Sequence, residues 1–334
     1  SDRTIRLHRV LPAKPEKVYK AFVDADAKAL QAKIDALLPS TANRVTLPKR
    51  GGSPWVLVES FADQQPWMTQ LYQRETGKLL RVGVSHPAIK PAQMGQTDFI
   101  RYKARDGLEI PAYITLPAGG VKKNLPLVVL VHGGPFLRGF SWQWDAEVQF
   151  LASRGYAVLQ PEFRGSTGFG DKHFKAGWKQ WGQAMQNDLA DGARWAIAQG
   201  IADPGRIAVA GASYGGYAAM MGLVNDPGLF RCAVNWVGVT DLMLLFNAHW
   251  SDLTDEAKRY GMPRMIGDPK TDADKLRAQG AVNQADFERM KAQCEATRAS
   301  AEAAAARVEL AGKAVSDSMV RAPFAGMVVE RFIA

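Results

Sequence analysis

Residues 206–221 read RIAVAGASYGGYAAMM, and the order of events in that stretch decides the fold. RIAVAG is a short apolar run, the pattern of a strand buried on both faces. GYAAMM continues without a turn residue, as the opening of a helix. Between them Gly211, Ala212, Ser213, Tyr214 and Gly215 spell G-x-S-x-G. A sharp strand-to-helix turn forces Ser213 into a strained backbone conformation, and its neighbours must be small for the chain to pack closely around it. The turn also exposes the hydroxyl at a helix N-terminus, where developing negative charge is stabilised.

Outward from this turn, strands alternate with helices from residue 98 onward. The candidate strands are FIRYKA, IPAYITLP, LPLVVLVHG, YAVLQPEF, RIAVAG and RCAVNWV, with helices expected over 145–154, 183–200 and 215–225. That alternation predicts an α/β fold with a doubly wound, mainly parallel sheet covered on both faces. HGGP, at 132–135, follows one of the buried strands. A glycine backbone N–H there can approach an oxyanion, so the N–H groups of Gly134 and Tyr214 are the expected oxyanion hole beside Ser213, the expected catalytic nucleophile.

In order and spacing, HGGPF, FRGSTGFG (163–170), WGQAMQNDLADG (181–192), ADPGRIAVAGASYGGYAA and FRCAVNWVGVTDL resemble the prolyl-oligopeptidase family of serine peptidases. The resemblance covers residues 27–276, and 98–276 is similar to that family's α/β-hydrolase catalytic domain. It implies a peptide or acyl-peptide substrate and no cofactor. It also implies an Asp within a segment like HGxxDxxVP and a His farther on, to activate the serine. Neither segment follows GDPKTDADKLRA (267–278), and no His occurs after His249. The α/β-hydrolase domain therefore reads as incomplete, and the expected function is a peptidase-like fragment with little or no turnover. Asp241 and His249 are the substitutes to weigh for acid and base; Asp241 lies in a GVTDL segment whose Asp the family ordinarily leaves non-catalytic, and His249 reads as a helix-packing residue. His132 belongs to the oxyanion loop, while His8, His86 and His173 lack motif context.

The flanks carry other resemblances. Residues 1–26, a strand TIRLHRVL followed by a helix pattern from Pro15, resemble the opening of a START-like (SRPBCC) ligand-binding domain. Residues 27–97 hold two extended runs with ETGK as a hairpin turn, similar to a β-hairpin remnant of the propeller that precedes the hydrolase domain in the same peptidase family. Over 281–317 Phe287, Met290, Cys294, Ala301, Val308 and Val315 fall on a 3,4-spaced seam, which predicts a long coiled-coil-like helix able to self-associate. SMVRAPFAGMVVERFIA, closing 277–334, is similar to periplasmic adaptor (membrane-fusion) proteins of efflux pumps. Breaks near 26 and 277 give two alternative readings: a non-catalytic assembly protein using the coiled coil, or an artificial chimera without evolved function. On any of them RCAVNWV is expected to present an uncovered sheet edge and the chain to be marginally stable.

Composition is consistent with a globular chain of 334 residues: 47% are hydrophobic, with 31 Gly and 18 Pro. The net charge of +9 is spread as +2 over 1–26, +6 over 27–276 and +1 over 277–334. With no basic stripe, nucleic acid is not an expected partner. Two cysteines, Cys232 and Cys294, exclude a disulfide framework and a multi-cysteine metal site. The sequence offers no dinucleotide G-x-G-x-x-G after its first strand. SDRTIRLHRV has no apolar signal region and no run approaches a membrane span, so the expectation is a soluble, cytoplasmic chain.

Overall fold

The computed structural model describes residues 25–48, 53–120, 122–247, 254–280, 299–300 and 302–311. The described residues begin with α1 (Ala25–Leu37) and a four-stranded antiparallel meander of β1 (Ala42–Thr46), β2 (Trp55–Phe61), β3 (Met68–Gln73) and β4 (Leu79–Val84). Leu30 and Ile34, one helical turn apart on α1, meet Val56 and Val58, two residues apart on β2, together with Tyr72. The helical period and the strand period each deliver one apolar face, and the two faces cover each other.

A six-stranded sheet follows, made of β5 (Gln96–Lys103), β6 (Glu109–Leu116), β7 (Leu125–Val131), β8 (Ala157–Pro161), β9 (Ala202–Ala212) and β10 (Cys232–Trp236). Its spatial order is β10-β9-β7-β8-β6-β5. The strands from β10 to β8 run parallel, whereas β6 is antiparallel to both β8 and β5. The mainly parallel sheet expected from the sequence is thus a mixed one with an antiparallel hairpin along one side. β7 alternates its side chains between two cores: Leu127, Val129 and Val131 join the main cluster, and Leu130 joins Val148 and Val158 in a second. Helices α4 (Ala184–Ala198) and α5 (Tyr214–Asn225) cover the first face through Met185, Leu189, Ala193, Tyr217 and Ala218; α2 (Ala146–Ser153) covers the second. Each such Leu or Val contributes about 1.5–3 kcal/mol by burial, which explains why LPLVVLV reads as continuous apolar sequence. The short α3 (Asp171–Ala176) lies between β8 and α4, and α6 (Leu242–Asn247) follows β10.

The meander and the six-stranded sheet are joined through buried polar groups. The Gln149 side chain donates to the carbonyls of Asp63 and Gly95 and accepts from Gly95 N–H, and Asp63 accepts from Thr97 N–H at 2.7 Å.

Several expectations change. The hairpin remnant is a four-stranded sheet, because ANRVT is too short and polar to stand out as a strand until it pairs with β2, from Ala42 opposite Phe61 to Thr46 opposite Leu57. WVLVESFADQQPWMTQLYQRETGKLLRVG divides into three strands, with the ETGK turn joining the last two. Helix α1 spans the boundary expected at residue 26, with Ala25 and Asp26 before it and the rest of the helix after it. The expected START-like strand at the N-terminus, most of the 281–317 seam and the adaptor-like RAPFAG segment lie outside the described residues. Within the seam, residues 302–311 are helical and exposed. No helix among the described residues is long and apolar enough to cross a membrane.

As expected, β10 is the last strand at its side of the described sheet. Val234, Trp236 and Val237 there are 60%, 68% and 76% exposed.

Candidate active site

The chain passes from β7 outward to β8, then returns to β9 on the other side of β7. The loops that leave β7 and β9 therefore diverge from neighbouring strand ends, the place where open α/β sheets form a crevice. Val131 and Gly211 are partners in the parallel ladder. The register sets HGGP beside Ser213 although 80 positions separate their numbers.

Ser213 has φ 57° and ψ −119°, a combination that a side chain with a Cβ tolerates poorly. Three bonds and contacts hold it there. Its N–H donates to the Trp236 carbonyl at 2.9 Å, its own carbonyl accepts from Tyr217 N–H at 3.1 Å, and α5 begins immediately after it. The hydroxyl is on an exposed residue and makes no hydrogen bond to any described residue. Because glycine accepts the same backbone angles without strain, Ser213→Gly is expected to stabilise the fold by about 1 kcal/mol; a urea titration measures it, and a loss of stability would mean that the turn stores no strain.

Tyr214, the first residue of α5, is 1% exposed. Its ring packs against Trp181 at 4.6 Å between centroids, Phe163 at 5.2 Å and Tyr217 at 5.7 Å, so the side chain is an anchor and only the backbone faces the turn. At the start of the helix its N–H has no partner within the helix. On the opposite side, a Cβ built on Gly133 would lie 3.4 Å from the Ser213 Cβ and 4.0 Å from its Oγ. A side chain at 133 would therefore touch the serine, and glycine leaves the space beside it open.

His132 is close to Ser213 along this loop but turned from it. Nδ1 bonds the Gly133 carbonyl at 2.7 Å, Nε2 bonds Ser166 Oγ at 3.0 Å, and the ring stacks on Phe163 at 4.3 Å. Burial pushes its pKa down to about 4. Both nitrogens are occupied, and the ring is neutral near pH 7. His173 lies under the loop after β8, its Nε2 on the carbonyls of Glu162 and Phe163, and His86 packs on Trp144. Asp241 is an exposed residue just ahead of α6. His8 and His249 lie outside the described residues. Of the sequence-derived candidates, the structure brings together Ser213, Tyr214 and the HGGP loop, and none of the three described histidines bonds to the serine.

Sequence reasoning passed over three groups near this centre. Glu162, fully buried, accepts from the N–H groups of Gly139 and Phe140. The Asn235 carboxamide oxygen accepts from Gly238 N–H at 2.8 Å and supports the loop that covers Gly216. Arg164 holds Asp188 through two bonds, Nε to Oδ2 at 2.9 Å and Nη2 to Oδ1 at 2.8 Å, and reaches Asp106 at 2.7 Å. An acid interrupting the apolar run YAVLQPEF was the available signal for Glu162. Nothing local marks the partners of Arg164, which lie 24 and 58 positions away.

An open cleft of about 720 Å³ lies on the β6 side, lined by Arg101, Glu109, Arg164, Phe169, Lys172 and His173 among others, and it does not include Ser213. Among the described residues no group of three or more His, Cys, Asp or Glu is placed to hold a metal ion.

Residues 142–283 match the family model described as the prolyl oligopeptidase family. The chain is 34% identical over 265 residues to dipeptidyl aminopeptidase BIII of Pseudoxanthomonas mexicana, an alignment covering 76% of this chain and 37% of that protein. It is 32% identical over 246 residues to dipeptidyl peptidase family member 6 of Caenorhabditis elegans, covering 63% and 33%. Among solved structures, the crystal structure of puromycin hydrolase superposes with a TM-score of 0.60 at 26% identity, over 72% of this chain and 36% of that one. The chain spans about a third of the length of these relatives.

Proposed function

Because the chain carries an α/β-hydrolase domain of the prolyl oligopeptidase family, we propose that Ser213 is its acyl-accepting nucleophile and that the Tyr214 and Gly134 N–H groups form its oxyanion hole. The observation that carries this reading is the strained, exposed Ser213 at the start of α5, with Gly133 so placed that a Cβ there would touch it. Attack on a peptide carbonyl forms the Oγ–C bond and drives the carbonyl electrons onto oxygen. The two N–H groups stabilise that oxyanion as it develops. Collapse to the acyl-enzyme expels the amine, and water then releases the acid. The substrate class is a peptide or acyl-peptide, supported by relatives whose names are dipeptidyl peptidases.

The attack also needs a base to take the Oγ proton. His132 spends both ring nitrogens on Gly133 and Ser166, His173 is buried with Nε2 on the carbonyls of Glu162 and Phe163, and His86 is bonded to Ser85 and packed on Trp144. With no described histidine bonded to Ser213, we assign the chain little or no turnover, on the scale of a triad enzyme that has lost its base, about 10⁴–10⁶-fold in rate.

A fluorophosphonate probe tests both parts. The chain alone is expected to label slowly. Added imidazole, acting as a diffusible base, is expected to accelerate labelling several-fold, and Ser213→Ala is expected to remove it. Rapid labelling without imidazole, abolished by Ser213→Ala, would overturn the inactivity. Labelling that survives Ser213→Ala would overturn the nucleophile.

A further inference from the structure

Glu162 takes no part in the chemistry just described, yet it is fully buried beside the loop that would carry out half of it. It stands just past the end of β8. Oε1 accepts from Phe140 N–H at 2.6 Å and Oε2 from Gly139 N–H at 3.2 Å. Oε2 is also 3.7 Å from His132 Nε2. Among the described residues no Lys or Arg forms an ion pair with it. A carboxylate buried without a cation is costly compared with an apolar side chain of the same size. What it does here is satisfy two loop N–H groups and bound one side of the His132 ring.

The orientation of that ring has a direct consequence for Gly134. The Gly133 carbonyl can only accept, so His132 Nδ1 carries the hydrogen and Nε2 is left as the acceptor of the Ser166 hydroxyl. The peptide joining Gly133 to Gly134 is planar and trans, so its C=O and N–H point in opposite directions. Holding Gly133 C=O down on His132 therefore turns Gly134 N–H outward, away from the imidazole. Gly134 accommodates this with φ 116°. The loop is closed behind the ring as well: a Cβ on Gly139 would fall 2.0 Å from the imidazole, so the segment that Glu162 holds is packed directly on His132.

We propose that Glu162 is a positioning residue for the oxyanion loop: by holding the 139–140 backbone against the His132 ring it keeps Nδ1–H on the Gly133 carbonyl and thereby aims the Gly134 N–H. This rests on the assignment of Gly134 to the oxyanion hole, and its test has a readout that does not depend on that assignment. Selectively ¹⁵N-labelled histidine in the full chain reports which His132 nitrogen carries the proton, and imidazole-assisted fluorophosphonate labelling reports Ser213. The unaltered chain is expected to show a protonated Nδ1 and a bare Nε2.

Glu162→Ala is expected to move both nitrogen signals toward a mixture of tautomers and to slow assisted labelling at least about tenfold, the lower side of what weakening an oxyanion donor does. Glu162→Gln, whose amide oxygen can still accept from Phe140 N–H, is expected to restore both. A Glu162→Ala chain that melts cooperatively with unchanged His132 nitrogen shifts overturns the proposal. If that variant does not fold, Glu162→Asp takes its place, since the shorter carboxylate cannot reach both loop N–H groups; unchanged shifts there overturn it equally. Absence of assisted labelling in every chain, the unaltered one included, counts against the Ser213 reading and leaves the tautomer shifts to decide the role of Glu162.

Discussion

Replacing Arg164 by Met is expected to cost about 3–5 kcal/mol of stability, the effect of stripping the partner from a buried ion. Arg164 is 6% exposed and Asp188 is fully buried. Burial pushes the Asp188 carboxyl up to about 6, so at pH 8 it is ionised and relies on the guanidinium. Arg164 is held charged by its bonds to Asp188 and Asp106. The same guanidinium connects three separate parts of the chain: the β5–β6 turn at Asp106, the loop after β8, and α4 at Asp188. Asp188 also accepts from the backbone N–H of Arg164 at 2.9 Å, and its own carbonyl receives the Tyr102 hydroxyl at 2.8 Å. With Met at 164 the Asp188 charge keeps only the backbone donor. Urea denaturation at pH 8 measures the loss. Adding Asp188→Leu to Arg164→Met is expected to recover a large part of it, because the uncompensated charge goes with the second change. If the double variant is no better than the single one, the cost lies in lost packing of the arginine stem rather than in the stranded carboxylate.

Gly215→Ala is expected to be nearly as damaging, at about 3 kcal/mol. Its new Cβ would lie 2.1 Å from the Val131 carbonyl oxygen, 3.0 Å from the Val131 carbonyl carbon and 3.3 Å from the His132 carbonyl oxygen. All three are backbone atoms at the end of the central strand, so no side chain can rotate away. Either α5 lifts off β7, carrying Ser213 with it, or the strand end moves and takes the HGGP loop along. Gly83→Ala provides the control, since a Cβ there meets nothing within 4 Å, and a change within about 0.5 kcal/mol is expected. Thermal and urea melts of the two variants compare them directly. A Gly215→Ala chain as stable as the Gly83→Ala chain would show that the close approach of α5 to β7 is not required.

The hydrolase part was well marked in the sequence, and the reason is physical. Strands buried on both faces must be continuously apolar, and LPLVVLV, YAVLQP and RIAVAG are; helices between them need a repeating apolar face, which 183–200 has. The meander was less legible. β1 is short and half exposed, and β4 carries Leu80 and Val82 at 57% and 61% exposure, so neither strand shows a clean in-and-out alternation. Their assignment depends on the ladder with β2 and β3. The reversal of β6 within the mainly parallel sheet was illegible for a related reason: IPAYITLP is as apolar as its parallel neighbours, and the direction of a strand leaves no mark on its composition.

At the candidate site the same division holds. The G-x-S-x-G turn and HGGP are local devices, written in consecutive small residues because steric demands of a sharp turn act on neighbours in the chain. Ser213 was therefore identifiable from residues 206–221 alone. Which groups support it was a tertiary matter. Glu162 and the 139–140 backbone lie about 20 positions apart, His132 and Ser166 lie 34 apart, and Arg164 and Asp106 lie 58 apart. No periodicity connects such pairs, since they meet only because β7, β8 and β6 end side by side. By itself the sequence determined the α/β-hydrolase plan and the serine at its turn. The tertiary structure alone decided that His132 faces away from that serine, because the direction of a ring is set by the hydrogen bonds and stacking partners around it.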